Sequence, residues 1–118
     1  MTPDPIISGA HDAPALLLSN SLGTTHEMWE AQVSAWSRHY RVIRYDTRGH
    51  GRSSPTPGDY TIDQLGRDAL AVLDAAGAKT ALVCGISLGG LTALWLGVNA
   101  PDRVTALVAR SEEHTSEL

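Results

Sequence analysis

Residues 80–100, Thr80-Ala81-Leu82-Val83-Cys84-Gly85-Ile86-Ser87-Leu88-Gly89-Gly90-Leu91-Thr92-Ala93-Leu94-Trp95-Leu96-Gly97-Val98-Asn99-Ala100, decide how this chain folds. Ala81 to Cys84 are an apolar, β-capable run. Gly85-Ile86-Ser87-Leu88-Gly89 interrupts it, and a second apolar run of helical length follows at once. That order reads as strand, sharp turn and helix, with a serine at the apex. So tight a turn drives the serine into strained backbone angles, and the neighbouring chain comes so close that side chains at 85 and 89 would clash. Ser87 is thereby held where a substrate carbonyl can reach it. The helix behind it aims unpaired N–H groups and the positive end of its dipole at the same spot, which suits a developing oxyanion. G-x-S-x-G alone arises by chance in many chains, and the plain alternative is a serine in a Gly-rich turn with no chemical role.

Beyond the turn, the helix from about Leu88 to Ala100 is apolar nearly all round and is expected to be deeply buried. Pro101 ends it, and Val104 to Ala109 has the length of a further strand. On the other side, Thr61-Ile62-Asp63-Gln64 has the form of a capping box that opens a helix. Leu65, Ala69, Val72 or Leu73, and Ala76 make the apolar stripe of that helix, and Gly77 stands where a left-handed C-terminal residue is wanted. Arg41 to Asp46 reads as a strand followed by a Gly-rich loop through Pro55. Met28, Trp29, Val33 and Trp36 mark an amphipathic helix over 28–39 whose tryptophans, like Trp95, fit core packing. Ala15 to Leu18 is a short, continuously apolar strand, and Pro5 to Ser8 the end of another. Such alternation implies right-handed βαβ crossovers and a parallel sheet with helices on both faces, where ligands bind beyond the carboxyl ends of the strands. Three loops leave those ends: residues 19–25, residues 46–55 and the turn at Ser87.

With 118 residues the chain is one domain at most, and small for a parallel α/β architecture that often takes roughly 200 to 250 residues. A net charge of −4 offers no basic patch for nucleic acid, and no run approaches the ~20 apolar residues of a membrane span. The expected partner is a small molecule, with no nucleic acid and no membrane. The start, Met1-Thr2-Pro3-Asp4-Pro5, lacks the pattern of a secretory signal, and the single cysteine, Cys84, excludes an internal disulfide; both suit the cytoplasm. Cys84 itself reads as a buried, inert thiol. No metal or cofactor motif is found, and no G-x-G-x-x-G follows the first strand, so none is expected. From Arg110 the composition turns abruptly polar and acidic. Arg110-Ser111-Glu112-Glu113-His114-Thr115-Ser116-Glu117-Leu118 looks like the translation of a synthetic sequencing adapter, so the natural sequence is expected to stop near residue 109; an ordinary disordered terminus is the alternative.

Taken together, Leu18-Ser19-Asn20-Ser21-Leu22-Gly23-Thr24, Met28-Trp29, Tyr45-Asp46-Thr47-Arg48-Gly49-His50-Gly51-Arg52-Ser53 and Gly85-Ile86-Ser87-Leu88-Gly89-Gly90 resemble the α/β-hydrolase superfamily, and within it the 3-oxoadipate enol-lactonases of aromatic-compound degradation. The likeness covers about residues 6–109. Most α/β-hydrolases carry His-Gly where this chain has Asn20-Ser21, and that departure is itself an enol-lactonase feature. The resemblance implies a three-layer parallel-sheet core, truncated after the strand that follows the helix of Ser87, without the lid that the family inserts next. It makes Ser87 the nucleophile, puts the backbone N–H of Leu22 and Leu88 in the oxyanion hole, and brings Asn20 and Ser21 to the substrate. Asn20 either steers the hole, touches substrate or caps its loop. In the family the 46–54 loop braces the site; Arg48 or Arg52 meets a substrate carboxylate or ties down backbone carbonyls or Asp46. Other α/β-hydrolases (an esterase, a carbon–carbon bond hydrolase, a cofactor-free haloperoxidase) and a non-catalytic binding protein of this fold are the competing readings.

A serine nucleophile needs a histidine to take its proton and an acid to orient it. The family order is serine, acid, histidine. Behind Ser87 stand one histidine, His114, and the acids Asp102, Glu112, Glu113 and Glu117. Asp102 falls at the end of the sheet away from Ser87, and His114 lies in the aberrant tail. His11 and His39 precede strands at the wrong edge, while His26 and His50 are in loops nearer the right edge but out of family order. The 118-residue polypeptide is therefore expected to lack lactonase activity.

Overall fold

The computed structural model describes residues 3–21, 24–48 and 61–110. Its sheet contains β1 (Ile6–Ser8), β2 (Ala15–Ser19), β3 (Arg41–Arg44), β4 (Ala81–Ile86) and β5 (Val104–Arg110), in the spatial order β1-β3-β2-β4-β5. β2 runs parallel to both β3 and β4, with Leu17 opposite Ile43 and Val83, and β5 runs parallel to β4. β1 departs from the expected parallel arrangement: it pairs antiparallel with β3, Ile7 opposite Ile43. The turn at residues 9–14 brings the chain back to start β2 with too few residues for a crossover, so β1 takes an edge position.

Among the described residues three α-helices cover the two faces: α1 (Glu30–Trp36), α2 (Ile62–Ala75) and α3 (Leu88–Asn99). Because side chains alternate along a strand, Leu17, Ile43 and Val83 point to one face and meet Ala69, Val72, Leu73, Ala93 and Leu96 of α2 and α3. Leu16, Leu18 and Val42 point to the other and meet Trp29 and Val33. The layers are therefore α1, sheet, and α2 with α3. Each fully buried Leu or Val contributes roughly 1.5 to 3 kcal/mol, so the two clusters carry most of the stabilisation.

α2 forms as its sequence dictates. Thr61 Oγ1 accepts from the Gln64 N–H at 3.1 Å and Gln64 Oε1 accepts from the Thr61 N–H at 3.0 Å. Leu65, Ala69, Val72, Leu73 and Ala76 are buried. Gly77 has φ +72°, and the N–H groups of Gly77 and Ala78 return to the carbonyls of Asp74 and Leu73, which ends the helix.

Two further expectations need correction. The helix expected over 28–39 is shorter: His26–Trp29 is a 3₁₀ turn whose N-cap, Thr25, accepts from the Glu27 N–H, and α1 proper ends at Trp36. Beyond Trp36 the N–H groups of Arg38 and His39 reach back only three residues, because no further apolar side chain at 37–39 holds another turn on the sheet. α3 is also less buried than its composition implies. Ala93 and Leu96 are fully enclosed, but Leu91 is 53 % exposed, Leu94 48 % and Val98 78 %, since the sheet and α2 cover one side of the helix only. No helix among the described residues is long and apolar enough to cross a membrane.

Candidate active site

β2, β3 and β4 end at one edge of the sheet, and the residues that follow them converge there. Ser87 leaves β4 with φ 58° and ψ −117°, the one positive φ of a non-glycine residue among those described. Such a conformation costs on the order of 1 to 3 kcal/mol and persists because its surroundings impose it. They do so through close backbone packing. A Cβ on Gly85 would run into the carbonyl of Gly89, and one on Gly89 into the carbonyl of Ser19, with the Asn20 oxygen 2.8 Å away. The start of α3 is thus jammed against the end of β2.

The Ser87 N–H donates to the Arg110 carbonyl at 2.6 Å, which ties the turn to the last residue of β5. Arg110 therefore belongs to the sheet; the tail expected from 110 lies outside the described residues beyond that position. Ser87 is partly exposed, and no hydrogen bond to its hydroxyl is formed among the described residues. Leu88 is the first residue of α3, so its N–H has no partner within the helix. Beside Ser87 these are the ingredients for attack on a carbonyl and for holding the resulting oxyanion. The second donor expected, Leu22, lies outside the described residues.

Asn20 is fully buried. Its Nδ2 donates to the Tyr45 carbonyl at 2.8 Å, and its Oδ1 accepts from the Trp29 indole Nε1–H at 2.8 Å. Both polar ends of its carboxamide are thus occupied by the residue after β3 and by the turn before α1. Ser21, buried as well, donates its N–H to Met28 Sδ at 3.3 Å and accepts at its carbonyl from Thr24 Oγ1 at 2.7 Å. Ser19 Oγ and the Tyr45 hydroxyl bond each other at 2.8 Å in the interior, and burial pushes the Tyr45 phenol up to about 12. Cys84, expected to be buried, is only partly so, and that burial raises its thiol.

Arg48 grips Asp68 of α2 with two bonds of 2.8 Å, so its guanidinium braces the loop after β3 against that helix. Arg52 and His50 lie outside the described residues. Asp46, almost fully buried, accepts at Oδ1 from the His26 N–H at 2.6 Å and pairs with His26 Nδ1 at 2.8 Å. His11 and His39 precede β2 and β3, and Asp102 precedes β5, all at the edge away from Ser87; His114 and the acids of the tail are outside the described residues. Among the described residues no histidine is bonded to Ser87. The spacing of Trp29 places it in core packing only, and neither Tyr45 nor the His26–Asp46 pair carries a site role from sequence. The signal that points to Trp29 is indirect: an asparagine between an apolar strand and a glycine-rich loop needs buried partners.

The comparisons with known proteins agree with this geometry. Residues 14–117 match the family model described as alpha/beta hydrolase fold. The chain is 54 % identical over 92 residues to 3-oxoadipate enol-lactonase 1 of Acinetobacter baylyi, covering 78 % of this chain and 34 % of that protein. It is 50 % identical over 100 residues to 3-oxoadipate enol-lactonase 2 of the same organism, covering 85 % and 38 %. The crystal structure of the enol-lactonase from Burkholderia xenovorans LB400 superposes with a TM-score of 0.82 at 48 % identity, covering 85 % of this chain and 39 % of that one. The chain thus spans a little over a third of the length of these relatives. On its glycine-walled turn at Ser87, its mostly parallel sheet and these matches, the chain belongs to the α/β-hydrolase fold family.

Proposed function

We propose that this chain carries the nucleophile and oxyanion half of a serine hydrolase site that opens an enol-lactone of the 3-oxoadipate type. The strained, partly exposed Ser87 at the head of α3 carries this reading, supported by the enol-lactonases at 50 to 54 % identity. Ser87 Oγ attacks the lactone carbonyl as its proton passes to a base. The carbonyl oxygen becomes an oxyanion facing the N–H of Leu88 and of Leu22. Collapse breaks the ring C–O bond, and the ring oxygen leaves as an enolate that takes the proton from the base to become the enol. Water then adds to the Ser87 ester and releases the carboxylic acid and the serine. Each main-chain donor is worth roughly 3 to 4 kcal/mol in the transition state. Leu88 and Leu22 act through backbone atoms, so their side chains matter less than the placement of their loops.

The base and acid are assigned to no described residue: among the described residues no histidine is bonded to Ser87, and His11 and His39 lie at the far edge. We therefore expect the 118-residue polypeptide by itself to turn over no enol-lactone, since losing a triad base lowers kcat on the order of 10⁶-fold. Joining residues 1–109 to the C-terminal part of the Burkholderia xenovorans enol-lactonase is expected to restore lactone hydrolysis and fluorophosphonate labelling, both lost in Ser87→Ala. A folded chimera that keeps its activity without Ser87 would refute the nucleophile. One that hydrolyses simple esters but not the lactone would favour an esterase.

A further inference from the structure

Asn20 and Trp29 form a cross-brace that nothing in the chemistry above uses. Asn20 has no exposed surface and Trp29 is 4 % exposed, so neither is placed to meet a substrate directly. The carboxamide satisfies one donor and one acceptor at once, the Tyr45 carbonyl at the end of β3 and the Trp29 indole in the turn before α1. No other side chain of that length offers both: aspartate cannot donate to Tyr45, and leucine does neither. The backbone of the same residue is seated on Gly89 in the first turn of α3. Met28, the neighbour of Trp29, holds the Ser21 N–H and also accepts from Thr24 Oγ1 at 3.2 Å. The loop stem beside Ser87 is therefore suspended between the 3₁₀ turn on one side and the head of α3 on the other.

We propose that Trp29, through Asn20, is a positioning residue for the oxyanion site, an inference that rests on Ser87 being the nucleophile. Main-chain donors stabilise the transition state only when they are held within about 0.5 Å of their productive position, roughly 3 Å from the developing charge. If the indole N–H is removed, Asn20 Oδ1 is left buried without its donor. The carboxamide then turns to find another partner, and the stem at 19–21 shifts against Gly89. Binding of the uncharged lactone carbonyl depends little on that placement, whereas the oxyanion depends on it strongly.

The test has two arms. In the 118-residue chain, Trp29→Phe is expected to speed amide hydrogen exchange in residues 19–21 about tenfold, leaving residues 62–75 of α2 unchanged. In the chimera with the Burkholderia xenovorans segment, the same substitution is expected to lower kcat about 10- to 100-fold with KM within about twofold. Replacing Trp29 by benzothienylalanine, which keeps the ring and deletes the N–H, serves where Phe disturbs folding and should give the same split. A rise in KM with kcat intact would overturn the proposal in favour of direct substrate contact. Unchanged kinetics, or exchange accelerated equally in α2, would reduce Trp29 to ordinary packing. Ser87→Ala in the same chimera separates the two claims: if it stays active, the nucleophile reading fails, and if it alone is inactive while Trp29→Phe is not, only the positioning role fails.

Discussion

Replacing Gly89 by alanine tests whether the backbone collision at the head of α3 shapes the Ser87 turn. The added methyl would occupy space already held by the Ser19 carbonyl and would approach the Asn20 oxygen to 2.8 Å. Both are main-chain atoms at the end of β2, and Ser19 is held in register opposite Gly85 of β4, so neither side can yield as a side chain would. Overpacking of this kind costs typically 1 to 3 kcal/mol, and a rigid obstacle puts Gly89→Ala near about 3 kcal/mol. Alanine's better helix propensity returns about 1 kcal/mol, leaving a loss of about 2 kcal/mol. Gly97 is the control within the same helix: its Cβ would meet only the Leu107 Cδ2 tip at 3.2 Å. There the propensity gain prevails, and Gly97→Ala should be neutral or stabilising by up to about 1 kcal/mol. Urea unfolding followed by tryptophan fluorescence, at equal m-value, should thus show shifts of opposite sign. Equal shifts, or a Gly89→Ala protein as stable as the parent, would refute the claim that close backbone approach makes glycine obligatory at 89.

Ser87→Gly should relieve the strain of φ 58° and raise stability by about 1 kcal/mol in the same assay, while Ser87→Ala, which keeps a Cβ, should not. Tyr45 provides a pH test: its phenol is held neutral up to about 12 against 10 when unfolded, so its contribution is fully present below pH 10 and lost as pH rises toward 12. That amounts to about 3 kcal/mol, and Tyr45→Phe should remove the alkaline fall between pH 10 and 12 seen in urea midpoints. Asp68→Asn strips Arg48 of its two-bond partner and should cost about 2 to 3 kcal/mol, near the low end for a buried pair because Arg48 keeps some contact with water; a loss below 0.5 kcal/mol in denaturant titration would show that the brace is slack.

Much of this arrangement can be read from local chemistry. The capping box at Thr61 and Gln64, the left-handed Gly77 and the buried stripe from Leu65 to Ala76 are set by neighbours within a few residues, and all appear as their sequence implies. The turn at Ser87 is legible for the same reason, because a glycine-flanked junction between a β-capable run and a helical run admits few conformations. α1 was less legible: whether the turn at His26–Trp29 is 3₁₀ or α depends on where Trp29 is anchored, nine residues back in the chain.

Partner choice across the fold was decided elsewhere. For Arg48 or Arg52 the sequence leaves open a substrate carboxylate, backbone carbonyls or Asp46, and it does not point to the Asp68 that Arg48 grips; Asn20 joins Tyr45 to Trp29; His26 meets Asp46. β1 turns out antiparallel, and α3 leaves Leu91, Leu94 and Val98 in water although its composition speaks for burial all round. Periodicity and turn residues report forces that act along the chain over one or two turns, and these established the strands, the helices and the bend that carries Ser87. Hydrogen-bond partners and covered faces depend on which distant segments the packed sheet brings within about 3 Å, and that distance exists only once the layers have closed.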